Sequence, residues 1–167
     1  MTARETAETF EARVVDAFEI TGRGWFVTFA PEQGVVHVGD HVRVQLEGRT
    51  CVAKVGAVEY VDRLGARESW PALGLPELRE TPVVGARLVG VHACPVCESL
   101  TLTSPGTCEL CPVCFWEDDA ADETTRTGGP NGARSGQDAR RNFAALGASD
   151  PAHRASVRPA RPDERPR

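Results

Sequence analysis

The first half of the chain alternates between apolar and polar residues with the period of a β-strand. In HVRVQL, polar side chains separate Val42, Val44 and Leu46, which gives the strand one apolar face. Comparable runs are FEARVVDAFEI, WFVTFA, CVAKVGAVEYV and RLVGVHA, and glycine-containing turns separate several of them. Five or six short strands predict a small antiparallel β-barrel or sandwich over residues 10–92. We favour the barrel because closure removes exposed edges.

Two segments of this half break the alternation. Residues 1–9 are polar and predict a flexible lead. Residues 62–82 contain three prolines and two glycines, which interrupt strand ladders. They predict a loop, with room for a short helix.

The second half has the pattern of one helix followed by a tail. SGQDARRNFAALG predicts a short helix that Ser135 caps and Gly147 ends, with Ala139, Phe143 and Leu146 on its apolar face. Residues 151–167 are rich in proline and arginine and predict an extended tail.

Charge is unevenly distributed along the 167 residues. The net charge of −5 disfavours a general nucleic-acid binder. No apolar run approaches the ~20 residues of a membrane span, and the polar N-terminal segment is unlike a signal peptide, so we expect a cytoplasmic protein without a membrane partner. Residues 93–125 carry seven acidic and no basic residues, whereas residues 126–167 carry nine basic and four acidic ones. The basic end either folds back on the acidic segment, stays solvated, or contacts an acidic or phosphate partner.

Five of the six cysteines lie in CPVCESLTLTSPGTCELCPVC, which contains CPVC at 94–97 and at 111–114. Two such turns supply the four thiolates that tetrahedral Zn²⁺ prefers. We therefore predict one structural zinc ion per chain, bound by Cys94, Cys97, Cys111 and Cys114. The 13 residues between the pairs are enough for a β-hairpin, with LTLT as a strand and SPGT as its turn. The segment predicts a zinc-ribbon-like unit.

Other roles for these cysteines stay open. A redox pair would need a βαβ setting, which the pattern does not show, and structural disulfides are rare in a reducing compartment. Cys108 and Cys111 share the two-residue spacing, so 94, 97, 108 and 111 is an alternative ligand set. Four cysteine ligands leave no position for water, which indicates a structural metal. Cys51 is interpreted as a small core residue.

The residues that follow the second CPVC have simple structural interpretations. Phe115 and Trp116 are expected to cover the zinc site. The acidic run at 117–119 predicts a helix start or a solvated loop, with a metal or catalytic carboxylate cluster as the alternative. His92 and His153 could bind metal in principle, but lone histidines are more often structural.

Catalytic residue types occur in this region without a recognisable arrangement. No spacing among Asp118, Asp119, Asn131, His153 and Cys108 matches a nucleophile, a base and an oxyanion donor. We therefore expect no enzymatic activity and assign no catalytic residue.

FEITGRGWFVTFAPEQGVVHVGDHVRV resembles the opening of domain II of elongation factor Tu and related translation GTPases. The shared features are a GRG turn at 22–24, Val27 with Thr28 in a strand, Gly34 in a hairpin, and V-G-D at 38–40. The resemblance implies an antiparallel barrel that contacts tRNA ends, the ribosome or a neighbouring domain. The chain contains no GxxxxGK[ST] sequence, so we expect no GTP site and no nucleotide cofactor.

CPVC…CPVCFWEDD…GGPNGARSGQDARRNFAALGA…VRPARPDE resembles the cysteine-rich CPCC family of small bacterial proteins. The resemblance covers about residues 94–164, with a G-x-N loop at 129–131, an A-R-x-N-F helix at 139–143 and a V-R-x-P type tail at 157–159. Val96 stands where the family has an extra cysteine. The resemblance implies a metal-binding fold rather than a reaction, and family members occur near toxin–immunity loci.

Together these patterns predict a mainly β protein with a small α+β zinc module. Its segments are a lead at 1–9, an elongation-factor-like β-barrel at 10–92, a CPCC-type zinc module at 93–150 and a tail at 151–167. The expected function is a non-catalytic binding or adaptor module for a protein or RNA partner, with translation as a candidate setting. The alternative is an immunity-type protein whose acidic segment meets a basic toxin.

Overall fold

The computed structural model describes residues 8–62, 69–119 and 129–166. The chain divides into two compact units. Glu8–Val91 forms one of them, called here the N-terminal unit, and the other contains His92–Arg167 and is called the cysteine unit. Most of the predicted lead, residues 1–7, lies outside the described residues.

Seven antiparallel strands build the sheet of the N-terminal unit. In chain order they are β1 (Glu11–Ile20), β2 (Gly24–Gln33), β3 (His41–Leu46), β4 (Arg49–Lys54), β5 (Ala57–Asp62), β6 (Ser69–Leu75) and β7 (Arg87–Ala93). Their order across the sheet is β4-β3-β7-β1-β2-β6-β5. The central strand β1 pairs with β2 along its length and with β7 at its start, where Glu11 lies opposite Val89. The first and last strands of the unit are therefore neighbours.

The apolar face of this sheet forms the core of the N-terminal unit. The alternation predicted in HVRVQL is confirmed, because Val42, Val44 and Leu46 are fully buried and the polar residues between them are partly exposed. Phe10 packs edge-to-face against Phe29, with ring centroids 5.5 Å apart. Burial of these side chains is the main favourable contribution to the stability of the sheet.

The predicted closed barrel is wrong, because no ladder joins β4 to β5 among the described strands. The Val55 N–H donates to Asp40 O at 2.8 Å and so extends the β3–β4 ladder. The next N–H, of Gly56, donates to Gly74 O of β6, also at 2.8 Å. Residues 55 and 56 thus lead the chain directly from edge strand β4 to edge strand β5, and no reverse turn lies between these strands. As a result, the two edge strands follow each other end to end instead of pairing side by side.

The predicted loop at residues 62–82 contains a strand, so that prediction is wrong for Ser69–Leu75. Proline was the reason for predicting a loop. However, Pro71 pairs with β5 and lies beyond the part of β6 that pairs with β2. A proline in that position removes no second ladder hydrogen bond, and β6 therefore tolerates it. Residues 63–68 of the predicted loop lie outside the described residues.

The cysteine unit is built from short elements. They are β8 (Leu100–Leu102), β9 (Thr107–Leu110), β10 (Glu117–Asp119), α1 (Gly136–Leu146) and 3-10 helices at Gly129–Asn131, Pro151–His153 and Pro162–Glu164. β8 pairs with the end of β7, and β9 pairs with β10. The hairpin predicted between the two CPVC sequences is therefore wrong, because β8 and β9 do not pair with each other. Instead, β8 pairs with the strand before the first CPVC, and β9 pairs with the strand after the second.

Helix α1 confirms the predicted helix and both of its caps. The Ser135 Oγ accepts a hydrogen bond from the Asp138 N–H at 3.1 Å, and the Asp138 carboxylate accepts one from the Ser135 N–H at 3.3 Å. This capping box satisfies N–H groups that the first turn leaves without partners. Gly147 ends the helix with a left-handed φ of 76°. No helix in the described ranges has the length and apolar character required to cross a membrane.

Gly22 and Gly24, in the turn between β1 and β2, provide a matched test of close packing. Both have left-handed φ angles, 80° and 83°, but only at Gly24 would a Cβ meet other atoms, 2.8 Å from Pro76 Cα. We expect Gly22→Ala to lower the free energy of unfolding by about 1 kcal/mol through backbone strain. Gly24→Ala should cost about 1–3 kcal/mol more because of the added clash. Urea unfolding followed by tryptophan fluorescence measures both losses, and equal losses would contradict the packing shown here.

Candidate metal centre

The two CPVC sequences form the tips of two β-hairpins. Residues 94–97, called knuckle 1, lie between β7 and β8. Residues 111–114, called knuckle 2, lie between β9 and β10. The repeat in the sequence is therefore a repeat in the structure, and paired strands hold each pair of cysteines in one turn.

The two knuckles have equivalent backbone geometry. The Glu98 N–H donates to Cys94 O at 2.9 Å, and the Phe115 N–H donates to Cys111 O at 2.8 Å. Glu98 and Phe115 also share left-handed φ angles of 60° and 65°. Such angles are uncommon for residues with a Cβ. The chain accepts this strain at the same position in both turns, directly after the second cysteine, where it leads back into the paired strand.

The four predicted ligands lie together at the knuckle tips. The Sγ atoms of all four lie within 4.8 Å of one another, and they belong to Cys94, Cys97, Cys111 and Cys114. The distance is 3.6 Å from Cys94 Sγ to Cys114 Sγ, and 3.6 Å from Cys97 Sγ to Cys111 Sγ. A tetrahedral zinc ion with Zn–S bonds of ~2.3 Å would place its sulfur ligands ~3.8 Å apart. All four cysteines are free thiols. The geometry therefore fits one tetrahedral metal site.

The sulfur cluster is enclosed by apolar side chains. Cys111 and Cys114 are fully buried and Cys94 is 1% exposed, which leaves only Cys97 partly accessible. The side chains packed around the cysteines are those of Val96, Leu102, Val113, Trp116, Ala139, Phe143 and Ala160. Of the two aromatic residues expected to cover the site, Trp116 packs in this cluster. Burial of this kind strengthens the interaction between a cation and its thiolate ligands.

The thiols perturb one another's ionisation. Hydrogen bonds to Cys114, Cys94 and Cys97 lower the pKa of Cys111, with a further contribution from Thr101, whose Oγ1 lies 3.2 Å from the Cys111 Sγ. The hydrogen bond to Cys111 raises the pKa of Cys114. Closely packed thiols resist ionising together because like charges repel. A divalent cation removes this restriction, and its binding would release the remaining protons.

Two arginines from the second half of the unit bind the proline carbonyls of the knuckles. Arg140 of α1 donates from Nη1 to Pro95 O at 3.0 Å. The backbone N–H of Arg158 donates to Pro112 O at 3.1 Å. Each knuckle is thus held at the same carbonyl by a residue that follows it in the chain, which fixes the two turns relative to α1 and to the segment around residue 158.

Residues 157–164 pack on the cysteine unit and are called the C-terminal strap. The Glu164 side chain is fully buried. It accepts hydrogen bonds from the Arg158 guanidinium at 2.6 and 2.7 Å and from the Arg161 N–H at 2.9 Å. Ala160 packs against the cysteine cluster. This segment differs from the predicted extended tail because the two arginines compensate Glu164 for its lost hydration.

The remaining cysteines and His92 lie apart from the cluster. Cys108 is exposed on β9, and the structure brings Cys114 rather than Cys108 to the other three sulfurs. This arrangement favours the ligand set predicted first. His92 lies on β7 and is not part of the sulfur group. Cys51 is buried in the core of the N-terminal unit, as interpreted from the sequence.

The acidic run after knuckle 2 forms strand β10, so the predicted helix start or solvated loop is wrong. Asp118 is 2% exposed, and its Oδ2 accepts a hydrogen bond from the Gly106 N–H at 2.8 Å. That carboxylate therefore stabilises the turn before β9. Within residues 8–62, 69–119 and 129–166, the four cysteines are the only group of three or more potential metal ligands.

A cavity of about 260 Å³ lies beside knuckle 2 and is called the aromatic pocket. Its lining includes Phe115, Trp116, Glu117, Asn131, Arg134, Asp150 and His153. The His153 ring packs against Phe115 in a tilted arrangement, with centroids 4.4 Å apart and 32° between the ring planes, and Arg134 forms an ion pair with Asp150. The pocket brings together Asn131 and His153 from the catalytic candidates, whereas Cys108, Asp118 and Asp119 do not line it. Sequence reasoning missed Arg134 and Asp150, which belong to no motif.

Residues 92–164 match the family described as Cysteine-rich CPCC. The match includes both knuckles, α1 and the C-terminal strap, and it confirms the resemblance drawn from the CPVC repeat and the A-R-x-N-F helix. Residues 8–91 lie outside the match. The resemblance of the N-terminal unit to an elongation-factor domain stays a prediction.

Metal analysis of cysteine variants tests the ligand set. We expect one zinc ion per purified chain by elemental analysis. Cys97→Ser should reduce the zinc content to near zero, because three thiolates cannot complete the tetrahedral site. Cys108→Ser makes the same chemical change at an exposed position outside the cluster and should keep the zinc. Zinc retained by Cys97→Ser, or lost from Cys108→Ser, would contradict the assignment.

Removal of Glu164 tests the C-terminal strap. We expect Glu164→Ala to lower the free energy of unfolding of the cysteine unit by about 2–3 kcal/mol. The loss of a buried carboxylate leaves two arginines without their common partner, but those arginines are partly exposed, which moderates the cost. Chemical unfolding of zinc-loaded protein measures the change. Asp163→Ala provides the comparison, since it removes the neighbouring carboxylate, whose ion pair to Arg161 spans 3.9 Å between Oδ1 and Nε.

The stabilisation by Glu164 should depend on pH. Burial by itself raises the pKa of Glu164, but hydrogen bonds from Arg158 and from the Arg161 N–H outweigh it and leave the pKa below its ordinary value of 4.5. The stabilisation is then fully present above pH 4.5 and is lost as the pH falls through the lower folded pKa. The difference in Tm between wild type and Glu164→Gln should therefore shrink below pH 4.5. A difference in Tm that grows as the pH falls would contradict a lowered pKa of Glu164 in the folded protein.

Proposed function

We propose that the chain is a non-catalytic zinc-binding protein that acts as a binding or adaptor module for a protein or RNA partner. The observation that carries this proposal is the closure of the cysteine site. A metal with four cysteine ligands has no position left for water or substrate, and Cys94, Cys111 and Cys114 are at most 1% exposed. A metal held in this way stabilises a fold and presents its surface, and does not carry out a reaction.

The choice of zinc follows from the chemistry of the donor set. Four thiolates in tetrahedral geometry suit zinc and iron, and zinc has no redox chemistry that would require access from solvent. The cysteine unit buries few large side chains, as expected of a small unit that depends on a metal for part of its stability. Zinc therefore supplies folding free energy in this proposal.

The setting in translation is supported by the N-terminal unit. Gly22 in the turn after β1 and Gly24 at the start of β2 have left-handed φ angles, and so does Gly39, two residues before β3. These are turn positions of the GRG and V-G-D sequences on which the elongation-factor resemblance rests.

A second candidate function is neutralisation of a basic toxin. Among the described residues from Cys94 to Asp119 there are five acidic side chains and no basic one, and Glu98 and Glu117 are partly accessible. Such a surface is complementary to a cationic partner and raises the rate of association with it. Direct binding to the toxin of a neighbouring gene would support this function, and failure to bind that toxin would remove it.

Migration in a density gradient tests the adaptor function. We expect tagged full-length protein in lysate to sediment with a particle much larger than its own 18.0 kDa. Zinc-free Cys97→Ser should shift to the monomer fractions, because the binding surface depends on the metal, and Cys108→Ser should sediment like wild type. Nuclease treatment separates an RNA-dependent complex from a protein-only one. Monomer migration of the wild type under every condition would contradict the proposal.

A further inference from the structure

The aromatic pocket has the size of a site for one side chain. Its volume of about 260 Å³ lies below the ~300–1,000 Å³ typical of small-molecule sites. Trp116 is 2% exposed and borders the pocket from the protein interior. Phe115 and His153 pack against each other in a tilted arrangement at one wall and are only partly buried. The pocket therefore offers aromatic surface to a narrow group that enters from solvent.

Carboxylates outnumber cations around this aromatic surface. Glu117 and Asp150 line the pocket, and Arg134 is the arginine that lines it with them. Asp150 is already paired with the Arg134 guanidinium. The Glu117 side chain makes no hydrogen bond or ion pair to any residue in the described ranges, because the contacts of Glu117 with Asn131 use only its backbone N–H and O. Among the described residues, the Glu117 carboxylate is thus available to a cation.

We propose that the aromatic pocket binds an arginine side chain presented by a basic protein partner. This rests on the proposed binding function and names the chemistry of the partner. The guanidinium plane would lie against Phe115 and His153, and its N–H groups would donate to the Glu117 carboxylate. Aromatic faces and carboxylates are the two kinds of group that bind guanidinium best. The Arg134–Asp150 pair is an example of the second kind inside the same pocket.

Arginine fits this pocket better than the other cations and anions of macromolecules. Lysine presents a compact, strongly hydrated charge that stacks poorly on aromatic rings. A nucleic-acid backbone would bring phosphates to a pocket in which carboxylates already exceed the cations, which repels it. Buried arginines are also common hot spots of protein–protein interfaces.

Titration with short peptides, followed by NMR, tests the pocket on zinc-loaded full-length protein. The probe is Ac-Gly-Arg-Gly-NH2, and the matched peptides carry lysine or citrulline, which has the shape of arginine without its charge. We expect saturable shifts of the Trp116 indole N–H and of the Glu117 and His153 amides, with a millimolar midpoint for arginine. The lysine peptide should bind more weakly and the citrulline peptide should not saturate.

Two variants identify the groups that bind the peptide. Glu117→Gln should raise the midpoint for the arginine peptide at least about five-fold, because it removes a charge-assisted hydrogen bond. His153→Ala should also raise the midpoint, because it removes an aromatic ring from the pocket wall. This variant provides a second test if Glu117→Gln folds poorly. Glu98→Gln is the control, since it makes the same charge change directly after knuckle 1, at a residue outside the pocket lining, and should leave the midpoint within two-fold.

Several results would overturn the inference. They are an absence of saturation with the arginine peptide, an equal response to the citrulline peptide, and equal effects of Glu117→Gln and Glu98→Gln. If an oligouridine shifts the same signals at a lower concentration than the arginine peptide, the partner of the pocket is an RNA and not a protein. The titration needs no native partner, so its failure is separate from failure of the adaptor function. If the Glu117→Gln variant still sediments with the large particle, the aromatic pocket has no role in that complex, and the adaptor function stands without it.

Discussion

The convergence of four sulfur atoms from two hairpin tips is the constraint on which the cysteine unit depends. Each knuckle contributes two cysteines, so neither can complete a tetrahedral site without the other. The rest of the unit is arranged around this meeting point. α1 and the C-terminal strap each bind one proline carbonyl, at Pro95 and Pro112, and the apolar side chains of the unit pack against the cysteines.

The two units are stabilised by different interactions. The N-terminal unit relies on the burial of apolar side chains on a seven-stranded sheet. Strands that are distant in the sequence, such as β1 and β7, pair in this sheet. The cysteine unit has short strands and few large buried side chains, and its ligands all lie within residues 94–114. Closing so short a segment around a metal costs little chain entropy compared with pairing strands far apart in the sequence. The N-terminal unit thus depends on apolar burial, whereas the cysteine unit gathers four cysteines that fit one metal site.

Local signals in the sequence predicted the local features of this structure. Three features can each be recognised from a short stretch of sequence: the alternation through Val42, Val44 and Leu46, the caps of α1 and the repeated CPVC. The alternation and the caps are present as expected, and the four cysteines of the repeat lie together. The features that were missed depend on distant residues. Pro71 is tolerated because it lies beyond the part of β6 that pairs with β2, and Glu164 is buried because two arginines face it. The open sheet follows from the course of the chain through Val55 and Gly56, for which the alternation carries no signal.

Strand β7 has a consequence for the modular use of this protein. It runs without interruption from Arg87 to Ala93, while the division between the two units falls between Val91 and His92. Its first residues complete the sheet of the N-terminal unit, and its last two pair with β8 beside knuckle 1. Gene fusion or recombination at this boundary would have to cut through a hydrogen-bonded strand. A chain that began at His92 would keep only His92 and Ala93 of this strand to pair with β8.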